Sequence, residues 1–197
     1  REPGIVFEHA GLKDADDVIA ANNYIVSNRA GIYVDNSPRE PGSTLVFDHN
    51  VIAYNEIGVT MLPLVKHNVF TENIFQDNSA QVAVAGHGDV LNNDWAFGGR
   101  GNFWSDYTGF DVDGDQIGDL PYQSQSLYED LLQKYPELRL FQLSPASSTL
   151  DLAARAFPLF QPRPKLADPY PLMSPPAIAP LAGLEEPQTM THLWLAS

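Results

Sequence analysis

The sequence predicts an all-β solenoid, a right-handed parallel β-helix, followed by a small α-helical appendage on its C-terminal side. Three observations carry that prediction. Short phrases bounded by asparagine recur through the first half. A stretch rich in aspartate and aromatics ends them. Beyond it, apolar residues fall at helical spacing and proline becomes frequent. The boundaries expected are β-helix coils over 1–100, a capping segment over 101–122, amphipathic helices over 123–161 and a Pro-rich extended tail over 162–197.

The recurring phrases are Asn23-Tyr24-Ile25-Val26-Ser27-Asn28, Asn50-Val51-Ile52-Ala53-Tyr54-Asn55 and Asn68-Val69-Phe70-Thr71-Glu72-Asn73. In this phase their starts lie 27 and then 18 residues apart, the first interval lengthened by the turn-rich insert from Asn36 to Ser43. A period of roughly 20–50 residues indicates a solenoid or a propeller. Units this short hold only two or three strands, too few for a propeller blade, so coils that stack inward Ile, Val and Phe fit better. Asparagine tolerates a left-handed backbone and bonds its own chain, so Asn28, Asn55 and Asn78 are expected at turns and in a ladder between coils.

Charge narrows the partners. The 197 residues carry a net charge of −14, from 25 acidic and 11 basic side chains. Residues 1–120 hold 18 acids and 6 bases of these. Such a surface repels phosphate backbones, so no nucleic-acid partner is expected. There is no cysteine, which removes disulfides, thiolate metal sites and cysteine nucleophiles. No apolar run approaches the roughly 20 residues that span a bilayer. The opening Arg1-Glu2-Pro3-Gly4, leading directly into the uncapped Ile5-Val6-Phe7, reads as an entry into the middle of a longer chain.

In the capping segment, Asp111, Asp113, Asp115 and Asp119 stand at positions 1, 3, 5 and 9 of a loop, with glycine at 114 and 118. Hard oxygen ligands at alternate positions suit Ca2+, which takes six to eight. The Ile117 carbonyl supplies position 7. The pattern departs from an EF-hand: Gln116 replaces its glycine and Tyr122 its bidentate glutamate. Asp106 or water would complete the set. A solvated acidic turn is the plainer alternative. Phe103, Trp104, Tyr107, Phe110 and Tyr122 would cover the open end of the last coil.

After the cap, Leu127, Tyr128, Leu131, Leu132 and Tyr135 recur at helical spacing. Leu138 and Phe141 extend the apolar surface. Ser148-Thr149-Leu150-Asp151 has the form of a capping box opening a second helix toward Phe157 and Phe160. These apolar residues would pack on the solenoid end, dock onto a partner, or both.

The run Gly101-Asn102-Phe103-Trp104-Ser105-Asp106-Tyr107, then Asp111-Val112-Asp113-Gly114-Asp115-Gln116-Ile117-Gly118-Asp119-Leu120-Pro121-Tyr122, resembles the signature that follows the β-helix of the NosD family. That family matures the copper sites of nitrous oxide reductase in the periplasm. The Asn-rich coils are similar to its coils, and Asp168-Pro169-Tyr170-Pro171-Leu172-Met173 to its C-terminal tail. The likeness covers about residues 5–175. It implies a periplasmic, non-enzymatic accessory protein that handles Cu(I) transiently. The implied partners are the membrane subunit of an ABC transporter, a copper chaperone lipoprotein and apo nitrous oxide reductase. Leu127, Leu131, Leu132, Leu138, Phe141, Phe157 and Phe160 become the expected transporter-docking residues.

Thioether and imidazole together suit Cu(I). Met61 in one coil and His87 near the end of the next are the candidate pair, beside the simpler readings of Met61 as packing and His87 as a turn residue. No Ser/His/Asp order, phosphate loop or HExxH occurs. The competing class is a secreted β-helix carbohydrate-active enzyme (a polysaccharide lyase, epimerase or hydrolase), although Arg29, Arg39 and Lys66 are scattered rather than grouped. A calcium-stabilised adhesion module is a third reading.

Overall fold

The computed structural model describes residues 4–8, 18–38, 41–86, 88–124 and 164–178. Three sides are built by strands that recur in a fixed order. One side holds β1 (Ile5–Glu8), β4 (Ala30–Asp35), β7 (Ile57–Met61) and β10 (Ala80–Val84). The second holds β2 (Val18–Ala21), β5 (Leu45–Asp48) and β8 (Asn68–Thr71). The third holds β3 (Tyr24–Val26), β6 (Val51–Ala53), β9 (Ile74–Gln76) and β11 (Phe103–Trp104). Every pairing among these strands is parallel. The result is a β-solenoid of about three turns, and among the described residues there is no helix.

In-register parallel pairing turns each inward position into a column. Ile25 sits on Ile52, then Phe75, then Trp104. Ile32, Val59 and Val82 form another column, and Val34, Met61 and Val84 a third. All of these side chains are buried. Strands lie about 4.8 Å apart, so stacked rings must meet face to face. Phe47–Phe70 and Phe70–Trp95 do so at 4.5 and 4.4 Å between centroids. Phe75–Trp104 and Trp104–Tyr122 do so at 4.2 Å each. Side chains grow along the axis, from Ile25 to Trp104 and from Ala20 to Trp95, so the aromatics concentrate at one end and close it. Each fully buried ring contributes about 1.5–3 kcal/mol from area removed from water.

The corners are held by asparagine ladders. Asn23 N, Asn50 N and Asn73 N each donate to the Oδ1 of the asparagine one coil on: Asn50, Asn73 and Asn102. Each of these side chains also reaches back, as Asn50 Nδ2 does to Ala20 O at 2.8 Å and Asn73 Nδ2 to Phe47 O at 2.8 Å. Asn28, Asn55 and Asn78 form a second ladder, and Asn68 and Asn93 a third. Asn50, Asn68, Asn73 and Asn102 have no exposed surface. These amides therefore satisfy buried backbone groups that would otherwise cost about 1–3 kcal/mol apiece.

Two expectations about the repeat need correction. The rungs are Asn23, Asn50 and Asn73, not Asn23, Asn50 and Asn68, because Asn68 pairs with Leu45 on a different side. Successive rungs are 27, 23 and 29 residues apart. Asn68 and Asn73 both belong to ladders and lie five residues apart, like Asn23 and Asn28, which is why the two phrases look alike. The left-handed backbone also falls elsewhere. It is adopted by the residue before six of the ladder asparagines: Asn22, His49 and Glu72 at one corner, and Ser27, Tyr54 and Asp77 at the other, with φ between 50° and 60°. The asparagines are selected for their side-chain amides.

The chain after the cap also differs from expectation. Tyr122–Gln123 is a strand, β12, not a helix start, and it pairs antiparallel with β13 (Ala167–Asp168). Leu172 bridges both Phe103 and Ile117. Leu166, Asp168, Pro171 and Leu172 are buried, so residues 164–173 of the expected Pro-rich extended stretch are part of the solenoid's closure. The expected docking residues Leu127, Leu131, Leu132, Leu138, Phe141, Phe157 and Phe160 lie outside the described residues.

Candidate functional site at the closed end

The closing layer is organised by a carboxylate. Asp168 occupies the place of the next asparagine in the first ladder. Its Oδ2 accepts from Asn102 N at 2.7 Å, Asn102 Nδ2 at 3.3 Å and Trp104 Nε1 at 2.9 Å. Its Oδ1 accepts from Tyr170 N at 3.0 Å. Gly101 is required beside it, since a Cβ there would strike the Asp168 carboxylate. Burial pushes the Asp168 carboxyl above its ordinary range, against the opposing pull of the Trp104 and Asn102 donors. No further coil lies beyond this rung in the described chain. A side chain that only accepts ends the ladder without leaving an amide donor unmatched.

The aspartate loop sits on this layer. Asp119 N donates to Phe110 O, Gly118 N to Pro171 O and Met173 N to Gln116 O, at 2.8–3.0 Å. Tyr107 passes between Gly109 and Gly118, where any side chain would collide with its phenol, and donates to Leu120 O at 2.6 Å. The carboxylates largely cap their own backbone. Asp111 accepts from Gly114 N and Gln116 N, Asp115 from Ile117 N, and Asp119 from Val112 N. One oxygen from each of Asp111, Asp113 and Asp115 falls within 4.8 Å of the others. The Gln116 N–H, first among several donors, holds the Asp111 carboxyl below its ordinary range. Asp113 is raised: the Asp115 N–H pulls it down, but repulsion from Asp115 together with desolvation prevails. A bound cation would relieve that repulsion. Hard oxygens at this spacing suit Ca2+ or Mg2+ rather than Cu(I).

The expected site residues separate. Asp111, Asp113 and Asp115 converge. Asp119 is committed to Val112 N, and Ile117 forms a bridge with Leu172. Asp106 faces the solenoid instead, accepting from Gln81 Nε2 and Tyr122 Oη at 3.2 Å each. Phe110 is 52% exposed and does not join the aromatic stack. Trp95, absent from the expected cluster, does. Met61 has no exposed surface and fills the column between Val34 and Val84. The structure thus places it as packing. His87 lies outside the described residues. His49 is held between Asp48 and Glu72, at 2.7 and 3.0 Å. The residue that sequence reasoning missed is Asp168, which is 66 residues from the Asn102 it caps. Its only sequence signal was the Asp-Pro-Tyr-Pro run.

The model of one family, described as "Periplasmic copper-binding protein (NosD)", matches residues 8–109, just over half of the chain. A probable ABC transporter binding protein NosD of Stutzerimonas stutzeri is 32% identical over 140 residues, which is 71% of this chain and 31% of that protein. A protein of the same description from Pseudomonas aeruginosa is 34% identical over 131 residues, 66% of this chain and 30% of that protein. The chain therefore spans about a third of the length of the curated relatives it matches.

Proposed function

The chain belongs to the NosD family of periplasmic copper-binding proteins, and from that premise we propose that it serves copper-centre assembly in nitrous oxide reductase. It would receive Cu(I) from a chaperone lipoprotein and pass it toward the apo-reductase while held to an ABC transporter. Copper is cargo in this reading, and the protein is not an enzyme. The family match over the coils carries the proposal. The relatives' description as ABC transporter binding proteins supports the transporter contact.

We place the transporter contact on the segment between the two stems of the closing layer. Ser124 O accepts from Lys165 N at 3.3 Å, so the two residues that flank this segment lie side by side. Deleting residues 125–163 and joining the stems through a short Gly-Ser linker spares Asp168 and Leu172. Co-purification with the transporter's membrane subunit should be lost, while the thermal midpoint stays close to wild type. Retained co-purification would remove the docking assignment. The aspartate loop adds a structural Ca2+ site, formed by Asp111, Asp113 and Asp115 with the Ile117 carbonyl and Asp119 as further candidates. Its role is to stiffen the closing layer.

A further inference from the structure

One corner of the solenoid carries an open groove whose lining includes none of the closing-layer residues. It lies where three successive coils turn at Ser27, Tyr54 and Asp77, all in the left-handed region. Its volume is about 490 Å³ and its walls include Arg29, Tyr54, Glu56, Asp77 and Ser79.

Tyr54 is the unusual residue. A left-handed backbone (φ 56°) favours Gly, Asn or Asp, and a bulky side chain there is an outlier. The flanking corners use Ser27 and Asp77. Yet Tyr54 keeps 59% of its surface in solvent, so core packing does not account for it. The side chain is also held in place. Gln76 Nε2 lies 3.3 Å from both Tyr54 Oη and Asp77 Oδ2, donating to each. Asp77 N donates to Ser105 Oγ at 2.9 Å, which ties the corner to the next coil.

The groove therefore presents a flat, positioned ring flanked by carboxylate acceptors and one guanidinium donor. We propose that it binds a neutral, hydroxyl-rich saccharide. The C–H face of a pyranose would lie on Tyr54. Its hydroxyls would donate to Glu56 and Asp77 and accept from Arg29. With two carboxylates against one cation, the groove disfavours acidic sugars, which separates this site from a uronate-cleaving one. Binding is all that is proposed, with no covalent step.

The test is titration of the intact chain with chitotriose, with maltotriose and with trigalacturonate, followed by ligand-observed NMR. At least one neutral trisaccharide should bind saturably, with Kd on the order of 1 mM. Tyr54→Asn should weaken that binding at least about tenfold with an unchanged thermal midpoint, because asparagine tolerates the corner's backbone. Should that variant fail to fold, Glu56→Gln decides: weakening by at least about threefold supports the site, and unchanged affinity overturns it. Absence of saturable binding by both neutral sugars, tighter binding of trigalacturonate, or binding indifferent to a folded Tyr54→Asn would also overturn the proposal.

Discussion

Replacing Asp168 by alanine should cost far more than its position near the end of the described chain would suggest. The carboxylate accepts from four donors; Asn102 Nδ2 also reaches Phe70 O and Trp95 O, so two buried donors, Asn102 N and Trp104 Nε1, depend on it. Asn102 is fully buried and Trp104 is 1% exposed. Stranding a buried donor costs about 1–3 kcal/mol, so the two together cost about 2–6 kcal/mol. Part of this is returned, because a desolvated carboxyl is removed with them. Tyr170 is 46% exposed, and water can replace its lost partner. The expected net loss is about 2–4 kcal/mol, and at roughly 2–4 °C per kcal/mol for a chain of this size the midpoint should fall by about 5–15 °C. Asp168→Asn makes the sharper control. Its Oδ1 can still take Asn102 N and Trp104 Nε1, and only the Tyr170 contact is reversed, so it should lose no more than about 1.5 kcal/mol. The two proteins also differ with pH. Because burial raises the folded pKa of Asp168, its stabilising term is fully present below the ordinary carboxylate pKa of about 4 and is lost as pH rises through the folded value. The gap between wild type and Asp168→Asn should therefore narrow on going from acid to neutral pH. Thermal melts followed by circular dichroism across that range give the answer. An alanine variant within about 2 °C of wild type would refute the assignment of Asp168 as the ladder's terminus.

The other predictions concern the ladder, the loop and the core. Asn73→Asp should destabilise by more than about 3 kcal/mol in denaturant melts, since a carboxylate would face Phe47 O and Asn102 Oδ1, where the native amide donates. Ca2+ at about a hundredfold over its dissociation constant should stabilise by about 2.7 kcal/mol, raising the midpoint by roughly 5–10 °C. Asp113→Asn should abolish that rise, and a wild-type midpoint indifferent to Ca2+ and Mg2+ would remove the cation site. Gly118→Ala should displace the Tyr107 phenol and break its bond to Leu120 O, seen as a lower midpoint and altered near-UV circular dichroism. Met61→Leu should leave Cu(I) affinity unchanged in a competition titration, because a thioether with no exposed surface has no open coordination position. A clear loss of affinity would return Met61 to the ligand set.

Much of the solenoid could be read from residue order because its forces are local and repetitive. Inward Ile25, Ile52 and Phe75 recur with asparagines at fixed offsets, and parallel stacking converts that recurrence into columns. The phase of the third coil was misread because Asn68 and Asn73 sit in two different ladders at the same five-residue interval as Asn23 and Asn28. Position within a phrase cannot tell which side of the coil an asparagine serves; the strand register does. The aspartate loop was equally legible, since Asp111, Asp113 and Asp115 are sequence neighbours and turn chemistry brings them together. Asp106 belongs to the same stretch, yet its partners Gln81 and Tyr122 come from elsewhere and turn it away.

The sequence by itself determined the β-solenoid, the first of the two segments that close it and the family to which the chain belongs. Each of these rests on residues close together in the chain or on a period that repeats. Tertiary structure alone decided that Asp168 ends the ladder, that Trp95 joins the aromatic stack and that Met61 is core. Arg29, Tyr54, Glu56 and Asp77 come from three different coils, and only stacking gathers them into one groove. The physical reason is common to all of them. A side chain's neighbours in a solenoid lie one coil away, and coil length varies between rungs, so no fixed sequence offset points to them.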